Sequence, residues 1–274
     1  MYEDSTNRLW QCDTVDGLMI LKVCDSHNVA SSAFWQGMKA LFAIDLPSQM
    51  NQFDHVYSEI SATTSLTIPD YTASASAVEN ESSPAFILAS LLPGSMLEPV
   101  EVDDGMVADL AEHISALHQQ QRSTSGAIYA TGSDASQWLN RLKESLVLLA
   151  EYHSDSVPSD LLHEVFAELV QCTVDHFVPI MPDLRWDQFL QQDGKLSALV
   201  DLDAIVYGPR ELELVLLEFL LDQQQAMIFK EKYQQSHSLP DLTKVRKAYR
   251  LLLFMMNVLG EKNVDAWMQA PTRF

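Results

Sequence analysis

Basic residues are scarce in this sequence: 17 Lys and Arg stand against 38 Asp and Glu, a formal net charge of −21 over 274 residues. Phosphate backbones are held by clustered Lys and Arg, so nucleic acid is excluded as the main partner. The same acidity would steer cationic ligands to the surface, and it also serves plain solubility. Cysteine is sparse as well. Cys12, Cys24 and Cys172 lie far apart and are odd in number; without the paired spacing of a disulfide framework or zinc site they read as reduced structural thiols. Long hydrophobic runs are missing. VLLEFLL is interrupted by Glu218 and LLLFMMNVL by Asn257, and both fall short of the roughly 20 apolar residues that cross a bilayer. The opening MYEDSTNR is acidic where an export signal is basic, and no apolar segment follows it. The expectation is a cytoplasmic protein without a membrane partner.

What remains is the composition of a packed protein: 47% apolar and 20% charged residues. Length alone permits one large domain or two lobes sharing a cleft. Two β-compatible runs, 8–15 and 18–24, are joined by Asp16-Gly17, a dipeptide suited to a tight hairpin. A helix is expected from about Val29 to Phe42, with Phe34, Met38 and Leu41 on its apolar side. The segment 61–83 is rich in Ser, Thr and Ala, and Glu79 to Ser83 reads as a loop between two edge strands. AFILASLLPG is a short strand that stops at Pro93-Gly94, taken as a hinge between an N-terminal lobe, 1–91, and a C-terminal lobe, 92–274.

Beyond the hinge the period becomes helical. Asp103 would cap a helix carrying Met106, Val107, Leu110, Ile114 and Leu117, and Ser133 or Asp134 another carrying Trp138, Leu142, Leu146 and Leu149. A third starts near Pro158-Ser159, and two more occupy about 210–236 and 240–259, the last ended by Gly260. Between the third and fourth, FLQQ and LSALV flank Asp193-Gly194 as a second hairpin.

Three places carry residues able to do chemistry. Lys22 interrupts an apolar strand; its ammonium is either a solvated surface charge on a long stem or a compact cation aimed at a phosphate. Asp201 and Asp203 end the second hairpin on the same side. Burying an unpaired carboxylate is costly, so such a pair calls for a cation or strong donors, unless both simply meet water at a turn. Asp183 precedes FLQQ in a loop, with Gln188 five residues on, and a local capping role is open to it.

In this order, Lys22, Pro93-Gly94, Asp183, Gln188 and Asp201 resemble the aminoglycoside phosphotransferase and choline kinase group, over nearly the whole chain. STNRLWQCDTVDGLMILKV looks like the family's first hairpin with its phosphate-facing lysine, and FILASLLPGSML like its last strand and hinge. LAEHISALHQ is similar to the helix ending in Leu-His, here Leu117-His118. MPDLRWDQFL occupies the place of the HGDxxxxN catalytic loop, and VDLDAIVYGPRELEL is close to the metal-binding strand with its Gly-Pro-Arg-Glu segment.

The resemblance implies an α+β, protein-kinase-like two-lobed fold with a small β-rich N-lobe and a larger, mainly helical C-lobe. It implies an ATP- and magnesium-dependent phosphotransferase acting on a hydroxyl of a small-molecule substrate, a cationic one being compatible with the acidic surface. Lys22 would contact ATP phosphates, Asp201 and Gln188 would hold magnesium, Asp183 would orient or deprotonate the acceptor, and Glu213 would brace the region. Several positions depart from the pattern: Met181-Pro182 replaces His-Gly, and Gln188 replaces asparagine. The segment Ser26 to Ala40 holds no Asp or Glu to pair with Lys22, and only Gly17 represents the glycine-rich loop. These departures define the alternative, a pseudokinase that binds or regulates with a degraded active site.

Overall fold

Alternation in the opening segment builds a hairpin of β1 (Asn7–Thr14) and β2 (Gly17–Cys24) in the computed structural model, which describes residues 6–78, 83–153, 157–169 and 172–274. Thr14 pairs with Gly17, so the two-residue turn is Val15-Asp16, one position ahead of the expected dipeptide. The Thr14 hydroxyl fixes it, accepting from the Asp16 N–H at 3.2 Å and donating to the Gly17 carbonyl at 2.8 Å.

The single helix expected over 29–42 is two: α1 (Ser26–Ser31) and α2 (Ala33–Phe42), separated by Ser32, whose side chain caps α2 at the Trp35 N–H. After the short α3 (Leu46–Gln49) comes α4 (Phe53–Thr63), a helix not among those expected, with Phe53, Val56, Tyr57 and Ile60 buried at helical spacing. β3 (Tyr71–Ala75) and β4 (Phe86–Ser90) complete an antiparallel sheet in the order β1-β2-β4-β3. β4 is thus an inner strand, not an edge, paired on both sides, with Ile87 and Ala89 buried and the other three residues half-buried. Residues 79–82, most of the loop expected at Glu79–Ser83, lie outside the described residues.

After Gly94 the chain enters β5 (Ser95–Met96) and then α5 (Asp104–His118), which Asp103 caps at the Met106 N–H, 2.9 Å. β6 (Gly126–Ala127) leads to α6 (Ala135–Tyr152) and α7 (Ser159–Leu169). All five expected apolar positions of α5 and all four of α6 are buried. β7 (Val178–Ile180) precedes the second hairpin, β8 (Phe189–Gln192) and β9 (Lys195–Leu199), whose turn is Asp193-Gly194 with φ of 53° and 74°. That is the doubly positive turn the dipeptide favours.

β10 (Val206–Gly208) pairs with both β6 and β7, while β8 sits between β5 and β9. The helix expected over 210–236 is broken into α8 (Arg210–Leu220) and α9 (Gln223–Tyr233), because Asp222 forms a reciprocal cap with Gln225. α10 (Arg246–Met255) is shorter than expected, and α11 (Val264–Met268) was not anticipated. One continuous apolar core runs from α2 and β4 through α5 and α6 to α8 and α10. Among the described residues no helix is long and apolar enough to cross a membrane.

Candidate active site

The sheet and the second hairpin bring together residues far apart in sequence. Lys22, in the middle of β2 opposite Leu9 and Ile87, sends its Nζ to Oδ1 of Asp201 at 2.8 Å and to Oδ2 of Asp203 at 2.6 Å. The alternative of a solvated lysine is set aside: its side chain is only 15% exposed. Burial works against the charge on Lys22, but the two carboxylates outweigh it and raise its pKa above the ordinary lysine range.

The two carboxylates differ. Burial pushes Asp201 upward, yet Lys22 prevails and holds it below the usual range. Asp203 is raised, by burial first, with Lys22 offsetting only part. One ammonium serves both, so they titrate as a linked pair in which Asp203 protonates more readily. Asp203 also accepts from Nδ2 of Asn7 at 3.0 Å, a contact between residues 196 apart in sequence.

Asp183 is half-buried within reach of the Asp201 and Asp203 charges. Burial first, then Asp201, pushes its carboxyl up to about 7, near the value suited to a base at neutral pH. Gln188, almost fully buried, is turned into the loop: its Nε2 donates to the Asp183 carbonyl at 3.2 Å and its Oε1 accepts the Arg185 N–H at 3.1 Å. The loop is braced from below by Glu213, whose Oε1 accepts the Met181 N–H at 2.7 Å and whose Oε2 lies 2.8 Å from His118 Nε2. His118 reaches on to the Tyr233 hydroxyl, 2.8 Å from Nδ1.

Two members of this neighbourhood were not legible in the sequence as site residues. Asn7 has no local feature that betrays a partner 196 residues away. Tyr57 of α4 stands close enough to feel the charges of Lys22, Asp203 and Asp201. α4, outside the acid-free 26–40 segment, therefore also comes near Lys22. It carries Asp54 and Glu59, but Glu59 is bonded to the Tyr207 hydroxyl at 2.5 Å and Asp54 to His55. A separate concavity of about 590 Å³ lies against the other side of α4, lined by His55, Glu59, Arg122 and Tyr129. None of Lys22, Asp183 or Asp201 lines it, and its Glu59, Arg122 and Tyr129 already bond within the protein.

Among the described residues no three His, Cys, Asp or Glu side chains cluster as a ready-made metal cage. The donor set fits a magnesium ion that arrives with phosphates. Magnesium is commonly held by one or two carboxylates plus substrate oxygens, and the Asp201 carboxylate, one third exposed, is the one open to such an ion.

An antiparallel sheet with flanking helix, joined to a mainly helical region that holds these acidic residues, is the protein-kinase-like fold. Solved structures with this arrangement include an aminoglycoside phosphotransferase in ternary complex with ADP and hygromycin B (16% identity, 98% of this chain and 89% of that one, TM-score 0.60). A protein from Haemophilus somnus assigned as a fructosamine-3-kinase is similar over 98% of this chain and 87% of its own, with 16% identity and a TM-score of 0.62. A macrolide 2′-phosphotransferase from Brachybacterium faecium matches at 13% identity, over 98% and 91%, with a TM-score of 0.57. No curated protein matches the sequence. The model of the phosphotransferase enzyme family matches residues 3–248, and the chain belongs to that family.

Proposed function

We propose that this protein transfers the terminal phosphoryl group of ATP to a hydroxyl of a small molecule, in a cleft between lobes formed by residues 1–91 and 92–274. The observation that carries the reading is the 2.8 Å ion pair between Lys22 and Asp201, 179 residues apart in sequence, with the Asp183 carboxyl close enough to feel the Asp201 charge. Phosphoryl transfer needs positioning and charge neutralisation more than covalent chemistry by the protein. Lys22 would bind phosphate oxygens. Asp201 would hold magnesium, with Gln188 able to add the second lone pair of its carbonyl oxygen, and the ion would neutralise phosphate charge. Asp183 would accept the acceptor hydroxyl proton as the new oxygen–phosphorus bond forms and the bond to the ADP oxygen breaks.

Family membership supports phosphotransferase chemistry in general, while ATP as donor and a cytoplasmic setting are part of this proposal. The pseudokinase remains the second reading, favoured by Met181-Pro182, by Tyr57 standing near Lys22 without an acid on α4 to pair with it, and by Lys22 being engaged by both carboxylates.

Melting curves with and without Mg-ATP separate binding from its absence. Ligand at about 100 times its dissociation constant adds roughly 2.7 kcal/mol to stability. Asp183→Asn should then cut turnover by about 10²–10⁴ while the ATP-induced shift persists. Full activity in that variant rejects the assigned base, and the absence of both shift and turnover in the native protein rejects the kinase.

A further inference from the structure

We propose that Asp203 is the positioning residue for Lys22, doing here what an acid on the neighbouring helix would otherwise do. The inference rests on the phosphotransferase reading for its nucleotide arm. Lys22 has two carboxylates within 2.8 Å, both supplied by the segment that follows β9. Only one of them is placed to stay. Asp203 is 6% exposed against 33% for Asp201, and its Oδ2 is gripped twice, by Lys22 at 2.6 Å and by Asn7 at 3.0 Å. Withdrawing Asp203 would break both bonds in a buried place, which is strongly disfavoured for a charge-assisted pair.

Asp201 can turn away more cheaply. It is one third exposed and holds Lys22 through Oδ1, which among the described residues accepts otherwise only a long 3.4 Å bond from the Asp203 N–H. When Asp201 engages a cation, Lys22 therefore keeps one fixed carboxylate. α4 supplies no substitute, because the residue it places near Lys22 is the phenol Tyr57. Asp203 thus acts through Lys22, and Asn7 in turn holds Asp203.

The test measures binding of magnesium with a non-hydrolysable ATP analogue, by calorimetry, to the native protein, Lys22→Met, Asp203→Asn, the double variant and Asp201→Asn. Asp203→Asn should weaken binding about tenfold, and the double variant should bind no more weakly than Lys22→Met alone. The magnesium concentration for half-maximal binding should stay unchanged in Asp203→Asn and rise in Asp201→Asn. Multiplying effects in the double variant, or a raised magnesium requirement in Asp203→Asn, would make Asp203 a metal ligand and overturn the proposal. If the native protein takes up no analogue, the phosphotransferase reading fails, and melting midpoints of the ligand-free proteins decide this one. The double variant should then lose less than the sum of the single losses; strictly additive losses defeat the anchor.

Discussion

Glu213 and His118 face each other with Oε2 and Nε2 2.8 Å apart, both side chains wholly out of contact with solvent. The other Glu213 oxygen receives the Met181 N–H, so one carboxyl ties the end of α5 and the loop before Asp183 to the first turn of α8. Glu213→Leu leaves two buried donors or acceptors without partners, each worth about 1–3 kcal/mol. The expected loss is about 3 kcal/mol in urea unfolding, accompanied by a fall in turnover larger than any change in the Michaelis constant for ATP. Unchanged stability would show that the loop does not depend on this brace.

His113, on the same helix, is fully buried, with Nδ1 2.6 Å from the Thr64 hydroxyl and no partner for Nε2 among the described residues. Burial drives its pKa down to about 3. Its folded value lies below the unfolded one, so between about pH 6.5 and 3 only the unfolded chain takes the proton. The associated stability is present above pH 6.5 and is lost on acidification, at up to about 1.4 kcal/mol per pH unit inside that window. Urea midpoints at pH 7 and pH 5 should fall less in His113→Leu than in the native protein. Since the other titrating groups are common to both, equal slopes would clear His113 of the effect.

Gly94, after the expected hinge proline, has φ of 123°, and a Cβ there would stand 3.0 Å from the Gln191 carbonyl oxygen. Gly194, in the second hairpin, has φ of 74° and open space around it. Gly94→Ala should cost about 2–3 kcal/mol, combining backbone strain with a clash. Gly194→Ala, in the left-handed region and free of contacts, should cost about 1 kcal/mol. Chemical denaturation of the two variants ranks them, and the reverse order would refute the geometric account.

Arg250 gathers the chain end. It donates to Glu218 at 2.8 Å and to the carbonyls of Met268, Ala270 and Pro271, while Arg246 shares Glu218 and reaches the Phe274 carbonyl. Arg250→Met should cost about 3–5 kcal/mol, because Glu218 is left buried with one cation fewer. Limited proteolysis should then cut within 264–274 before the rest of the fold. Pairing it with Glu218→Leu should recover part of the loss.

Local chemistry made some of this architecture legible and left the rest hidden. Asp193-Gly194 announces its hairpin because few other residue pairs accept two positive φ values, and Asp103 announces the start of α5 by the bond it makes three residues on. The approach of Lys22 to Asp201 was read from a resemblance. Nothing in either segment alone requires it. Ser32 and Asp222 broke two expected helices because a polar side chain that accepts a backbone N–H ends one helix as readily as it starts the next. α4 has clear apolar spacing at Phe53, Val56, Tyr57 and Ile60, but no side-chain cap marks its start. Asn7 and Tyr57 join the site only through tertiary folding, which no local window reports.

The bonds from Asn7 and Lys22 to Asp203, and from Lys22 to Asp201, join the first strands to the segment after β9. A guest that takes the ammonium from Asp201, or turns the exposed carboxylate away from it, undoes one of these native links first. A thermal upshift on adding such a guest therefore reports the gain left after that exchange, and understates how strongly the guest itself is held.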